Sequence, residues 1–206
     1  MTLHFEPAPR PSARSRLLAA ADDLFYAHGV DATGVDAIIE AADVARMTFY
    51  KHFRGKDALV VAYLEQRDAR WRRLLAETCN AAGPQPQARI RAVFDALATC
   101  HSEPGFRGCS FANAAAELAH RDHPARAIVQ GHKEALRADL ARFVDEAEFL
   151  AVDELVDVLL ILYEGASTTQ ALGTVTDAIA KAQATVDRLL DSWPKNNPAA
   201  AGRPTS

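Results

Sequence analysis

An all-α fold is predicted by three features of the chain: its alanine content, the spacing of its apolar residues, and the residues that interrupt that spacing. Alanine fills 42 of 206 positions, against 13 valines and 6 isoleucines. Alanine is the strongest helix former, whereas strands favour β-branched and aromatic side chains. Apolar residues recur at three- and four-residue intervals, and Gly, Pro or Asp stands at the breaks. About nine helices are expected on this reading.

Residues 1–11 hold Pro7, Pro9 and Pro11 without periodicity and read as a mobile arm. Ser12 is a helix N-cap residue, and Leu18, Ala21, Phe25 and His28 share one face of the helix that follows, which Gly29 ends. Thr33-x-x-Asp36 resembles a capping box and predicts a short second helix carrying Val35, Ile38, Ile39 and Ala42. Asp43-Val44-Ala45 interrupts it. A third short helix spans Arg46 to His52, and Phe53 closes it. A longer helix starts near Lys56 with Val60, Tyr63, Leu64, Trp71, Leu74 and Leu75 on its apolar face.

Past Gly83-Pro84, Ile90, Val93, Phe94 and Leu97 mark a helix that ends near Pro104-Gly105, and a short one runs from about Ser110 to Ala119. Asp122 and Pro124 introduce the next, with Ile128, Val129, His132, Leu136, Leu140, Phe143 and Val144 in register. Two more occupy roughly 152–171 and 174–193, and 194–206 reads as a disordered tail.

Several function classes are excluded at this level. Apolar runs such as Val158 to Tyr163 fall far short of the roughly 20 residues of a membrane span. No apolar segment follows the first arginines as in a secretory signal. Three cysteines (Cys79, Cys100, Cys109) give no C-x-x-C pair, so a reducing, cytoplasmic setting is expected. The chain contains no G-x-S-x-G, H-E-x-x-H, P-loop or dinucleotide fingerprint, and Gly105-Phe106-Arg107-Gly108 lacks the Lys-Ser/Thr of a phosphate loop. An enzyme is not expected. His101, Cys109, His120 and His123 match no zinc-finger spacing, so neither a metal nor a cofactor is expected. Cys109 beside Arg107 is a candidate reactive thiol.

Residues 35–53 have the proportions of a helix-turn-helix, two helices of about seven residues around a short turn. Asp43 falls in that turn, where a left-handed backbone is often required and Asp tolerates it. The second helix offers Arg46, Thr48, Tyr50, Lys51 and His52, while Phe49 and Phe53 are predicted to pack inward. Such side chains donate to phosphates and base edges. The net charge of −4 conceals this segment: Val44 to Lys56 carries four cations and no acid, residues 17–43 carry six acids and no Lys or Arg, and residues 81–206 carry 12 cations and 16 acids.

The ordered run Thr33-Gly34-Val35-Asp36-Ala37-Ile38-Ile39-Glu40-Ala41-Ala42-Asp43-Val44, then Thr48-Phe49-Tyr50-Lys51-His52-Phe53-Arg54-Gly55-Lys56-Asp57-Ala58-Leu59, resembles the DNA-binding signature of the TetR (tetracycline-repressor-like) family. Ala20-Ala21…Leu24-Phe25…Gly29 is similar to that family's first helix. The resemblance covers about the first quarter of the chain. It implies that Arg46, Met47, Thr48 and Lys51 approach base edges and that Thr48, Tyr50, His52 and Lys56 hold phosphates, with Thr33 and Gly34 at the edge of the same face. Three positions depart from the family's pattern: Asp43 replaces a turn glycine, Ala45 a Ser or Thr cap, and Gly34 a Ser or Thr, leaving Gly34 its backbone N–H. The expected organisation is a three-helix reader at 12–57 and a helical ligand-binding and dimerisation domain at 58–193.

Asp153 to Tyr163 becomes apolar nearly all round its helix, and such a helix requires cover on every side. A homodimer is expected, with Leu159, Leu162, Gly165, Ile179, Val186 and Trp193 at the interface. The resemblance implies the same pair of helices for that role. Two recognition helices about 34–36 Å apart then read a palindrome in double-stranded DNA. Phe94, Phe106, Phe111, Phe143 and Tyr163, with Asn113, His132 and Thr168 as polar groups, are the candidate pocket for a small-molecule effector. The expected function is a ligand-released transcriptional repressor. The alternative is a DNA-binding protein without a small ligand, controlled by a protein partner or by Cys109 oxidation.

Overall fold

A computed structural model describes residues 10–102, 105–118, 120 and 122–196. The arm expected at 1–11 therefore falls mostly outside the described residues, as does the tail from 197 onward. Among the described residues there are nine helices: α1 (Ala13–His28), α2 (Val35–Ala41), α3 (Arg46–His52), α4 (Lys56–Ala82), α5 (Pro86–Ser102), α6 (Ser110–Glu117), α7 (Ala125–Glu146), α8 (Val152–Ala171) and α9 (Ala178–Ser192). The only extended pairing among them is an isolated bridge between Phe149 and Lys195. Among the described residues no helix is long and apolar enough to cross a membrane.

Helix ends follow local chemistry where the cap is local. The Ser12 hydroxyl accepts from the Ser15 N–H at 3.1 Å, and Gly29, at φ 91°, turns the chain after α1. The capping box expected at Thr33 does not form. Gly34 is the N-cap of α2, with an extended backbone and no side-chain bond. Thr33 instead donates its hydroxyl to the Gly29 carbonyl at 2.7 Å and is buried. The last helix starts later than its sequence period suggests, because Gly173 (φ 66°) and Asp177 (φ 53°) both adopt left-handed backbone ahead of Ala178.

The chain divides into two compact units, with the divisions at Gln66/Arg67, Ala112/Asn113 and Ile128/Val129. The first unit unites the N-terminal helices with the segment Asn113–Ile128, which lies far along the sequence. Leu17, Ala21, Phe25, Ile38, Phe49, Leu59 and Leu64 fill its core, and Phe25 meets Tyr63 edge-on at 5.4 Å. In the second unit, Ile90 and Phe94 of α5, Leu136 and Leu140 of α7, Leu155 and Leu159 of α8, and Leu190 of α9 are fully buried. Tyr163 sits edge-on to both Trp71 and Phe94, each at 6.0 Å. Burial of apolar surface on this scale is the main stabilising term for each unit.

Candidate nucleic-acid interface

Two phenylalanines orient α3. Phe49 is fully buried and Phe53 nearly so, with ring centroids 5.9 Å apart, as the sequence predicts. With that edge of the helix fixed inward, the remaining side chains point out: Met47 is 79% exposed, Tyr50 is 48% exposed, Arg46, Lys51 and His52 are exposed, and Thr48 is half-buried. A methionine this exposed has no packing function in the protomer. The face it shares with Tyr50 and the cations offers apolar contact, a phenolic hydroxyl and charged donors along one short helix, the mixture that base edges and phosphates accept. Arg46 is also 3.2 Å from the Asp36 carboxylate of α2.

The turn between α2 and α3 is held by α1. Asp43 has φ 49°, the left-handed backbone expected of it. The Arg16 guanidinium donates from Nη1 to the carbonyls of Ala42 (2.8 Å) and Asp43 (2.7 Å) and lies 3.6 Å from the Asp43 carboxylate. Arg10 donates to that same carboxylate. Both arginines are thus engaged with the turn itself. The 26 or more residues that separate them from the turn hide this pairing in the sequence.

Lys56 opens α4 and donates from Nζ to the Asp31 carbonyl at 3.1 Å. Gly34 is exposed at the start of α2. Thr33 lies beside it with its hydroxyl already occupied, so its side chain serves the turn. Glu117 carries no local signal in the sequence. The Glu117 carboxylate, at the end of α6, accepts the Asp31 N–H at 2.9 Å.

The second unit contains the residues assigned to an effector pocket except Asn113, which belongs to the first. His132 is 5% exposed, stacks on Phe111 at 3.7 Å and 9°, and meets Trp71 edge-on at 6.3 Å. Its Nδ1 lies 2.8 Å from Asp68 Oδ1, and Arg72 Nε donates to the other carboxylate oxygen at 2.6 Å. Burial pushes the His132 pKa below its ordinary value, against the pull of Asp68. Burial of Asp68 alone would raise its pKa, but the bonds from Arg72 and His132 prevail and hold the carboxyl below its usual range. The pair is therefore a neutral imidazole donating to a carboxylate.

A groove of about 330 Å³ passes this pair and is bordered by Asp68, Trp71, Leu75, Cys79, His132 and Phe143, among others. Of the eight residues assigned to the pocket, His132 and Phe143 border it. Phe94 and Tyr163 are in the core, Phe106 lies tilted at 40° to the His101 ring with centroids 3.5 Å apart, and Asn113 and Thr168 are exposed. The three cysteines are free, and Lys133 Nζ approaches Cys109 Sγ at 3.5 Å. Among the described residues no group of three or more His, Cys, Asp or Glu is placed to hold a metal ion.

The apolar residues assigned to a dimer interface divide in the same way. Leu159, Ile179 and Val186 are in the protomer's own core, Leu162 and Trp193 are half-buried, and Gly165 is exposed. The large apolar side chains left outside on and just after α8 are Ile161, 72% exposed, and Leu172, 70% exposed.

This architecture recurs in known proteins. Residues 17–63 match the family model for bacterial regulatory proteins of the tetR family, and residues 86–186 match that for the tetracyclin repressor-like C-terminal domain. A TetR-family transcriptional regulator from Streptomyces coelicolor superposes with a TM-score of 0.80 at 31% identity, over 87% of this chain and 94% of that one. The transcriptional regulator AcuR of Cereibacter sphaeroides is 28% identical over 162 residues, 75% of this chain and 74% of AcuR. The HTH-type transcriptional repressor NemR of Escherichia coli is 28% identical over 106 residues, about half of each chain (51% and 53%). With its reading helix, its helical C-terminal region and both family models accounted for, the chain belongs to the TetR family of DNA-binding transcriptional regulators and is not an enzyme.

Proposed function

We propose that the protein is a homodimeric repressor that binds a palindromic operator and is released from it by a small-molecule effector. The outward face of α3 carries this reading: an exposed Met47 and Tyr50 beside Arg46, Lys51 and His52, on a helix fixed from behind by Phe49 and Phe53. Arg46, Met47, Thr48 and Lys51 read base edges. Thr48, Tyr50, His52, Lys56 and the Gly34 N–H take phosphates, and Thr33 shapes the turn beside them. The protein acts in the cytoplasm, where three free thiols persist.

Dimerisation uses α8 and α9, with Ile161, Leu162, Gly165, Leu172 and Trp193 as the apolar and small groups available to a second copy. Operator half-sites one helical turn apart mirror the two-fold axis of such a dimer. The effector occupies the second unit beside His132 and Phe143, binds one conformation of the dimer better than the other, and so shifts the population away from the operator-bound form. NemR, named as a repressor, supports the sign of regulation.

The test is selection of duplex DNA from a random pool by the purified protein, then gel shift with wild type and the Tyr50→Ala/Lys56→Ala double variant. A selected palindrome that the double variant no longer shifts is the expected result. Selection without a palindrome, or undiminished binding by the double variant, overturns the assignment.

A further inference from the structure

The Glu117 carboxylate occupies a place made for it. At Gly29, φ is 91° and a Cβ would lie 2.7 Å from Glu117 Oε2, so any side chain there would collide with the carboxylate. The absent side chain lets Glu117 reach the Asp31 N–H at 2.9 Å, a backbone donor in the link between α1 and α2. The other polar group of the same residue, the Asp31 carbonyl, accepts from Lys56 Nζ at 3.1 Å. Asp31 is thereby clamped between a carboxylate and an ammonium group, and Lys56 is aimed by the same backbone that Glu117 fixes.

Glu117 is itself well anchored. Arg126 donates from Nε to the carbonyls of Leu118 and His120, both at 3.2 Å, and from Nη2 to those of Leu118 (2.6 Å) and Ala115 (3.4 Å), fastening the end of α6. His123 Nε2 lies 3.4 Å from the Asp57 carboxylate in the first turn of α4. A segment remote in sequence from the helix-turn-helix thus contacts both the α1–α2 link and the helix start that carries Lys56.

We propose that Glu117 is a positioning residue for DNA binding, which through the Asp31 backbone holds Lys56 where it meets a phosphate. The inference rests on the reading of Lys56 as a phosphate ligand. Charge-assisted bonds to backbone N–H groups are the stronger class of hydrogen bond, so the loss of this one is measurable. Because Glu117 touches no DNA, its effect passes wholly through Lys56 and the link that orients it.

The experiment is a double-variant cycle on the full-length protein, using as probe a duplex selected by the wild type. Affinity is read by fluorescence anisotropy across a salt series. Glu117→Ala and Glu117→Asp, which cannot span the gap, weaken binding about tenfold. Each also lowers the slope of log affinity against log salt by about one, as Lys56→Ala does. Glu117→Gln keeps an acceptor oxygen at the same reach and binds within about twofold of wild type. In the Lys56→Ala background, Glu117→Ala has no further effect.

Circular dichroism confirms the fold of each variant. If Glu117→Ala does not fold, the contrast between Glu117→Asp and Glu117→Gln carries the test. Wild-type affinity for Glu117→Asp, or losses that simply add to that of Lys56→Ala, overturn the inference. If Lys56→Ala alone binds DNA like wild type, the phosphate reading of Lys56 fails first, and the positioning role falls with it.

Discussion

Arg16→Ala should destabilise the protein by about 2 kcal/mol, because a single guanidinium fastens the turn of the helix-turn-helix. Its side chain is 22% exposed and donates to two carbonyls, those of Ala42 and Asp43. A hydrogen bond involving a charged group contributes roughly 1.5–3 kcal/mol. Two considerations lower the sum. Water replaces the donor at Asp43, whose side chain is 82% exposed, and Arg16 Nε is buried without a partner, a cost that the alanine variant removes. One bond in full with a fraction of the second gives about 2 kcal/mol. Arg16→Lys keeps one bond and leaves no buried Nε, so it should lose about half as much. Urea denaturation followed by circular dichroism measures both, and operator affinity should fall with them. An alanine variant within about 0.5 kcal/mol of wild type, the level of an ordinary surface change, would refute the clamp.

Three further outcomes are expected. Asp43→Gly should change stability by less than about 1 kcal/mol, since relief of a positive φ offsets the exposed ion pairs with Arg10 and Arg16, whereas Asp43→Val should cost about 1–3 kcal/mol; chemical denaturation distinguishes them. Burial holds the pKa of His132 below 6.5 and that of His101 at about 4, so the unfolded chain takes up protons that the folded one refuses. Their stabilisation is complete above about pH 6.5 and declines as pH falls toward 4, and His132→Asn, which still donates to Asp68, should flatten the decline in melting temperature. Ile161→Asp should leave the melting of the protomer nearly unchanged while abolishing the dimer in sedimentation; an intact dimer would place the interface elsewhere.

What the sequence disclosed and what it hid divide along the range of the interactions. Ser12 and Gly29 were legible because caps act within one turn, and Phe49 and Phe53 because a short amphipathic helix has one inward face. Thr33 misled because its hydroxyl bonds Gly29 in place of the start of α2. On α8, periodicity marked apolar positions without saying which side meets the protomer's own core. Leu159 and Ile161 are two residues apart, about 200° around the helix, and one is buried while the other is exposed. Arg16, Arg10 and Glu117 stayed hidden because their partners lie 26 or more residues away, and no local pattern encodes such a distance. The exposed side chains of α3 were readable for the opposite reason, being arrayed on one contiguous helix.

The membership of Asn113–Ile128 in the reading unit bears on how such regulators can be recombined. A hybrid gene joined after Lys56 or Gln66 would deliver the helix-turn-helix intact in sequence yet without the carboxylate that seats over Gly29. Its Asp31 N–H would then depend on whatever the new host presents in the place of Glu117. A graft that carries both pieces transfers a finished surface with its own buttress. A graft that carries only the first transfers the helix-turn-helix without the carboxylate that holds its α1–α2 link.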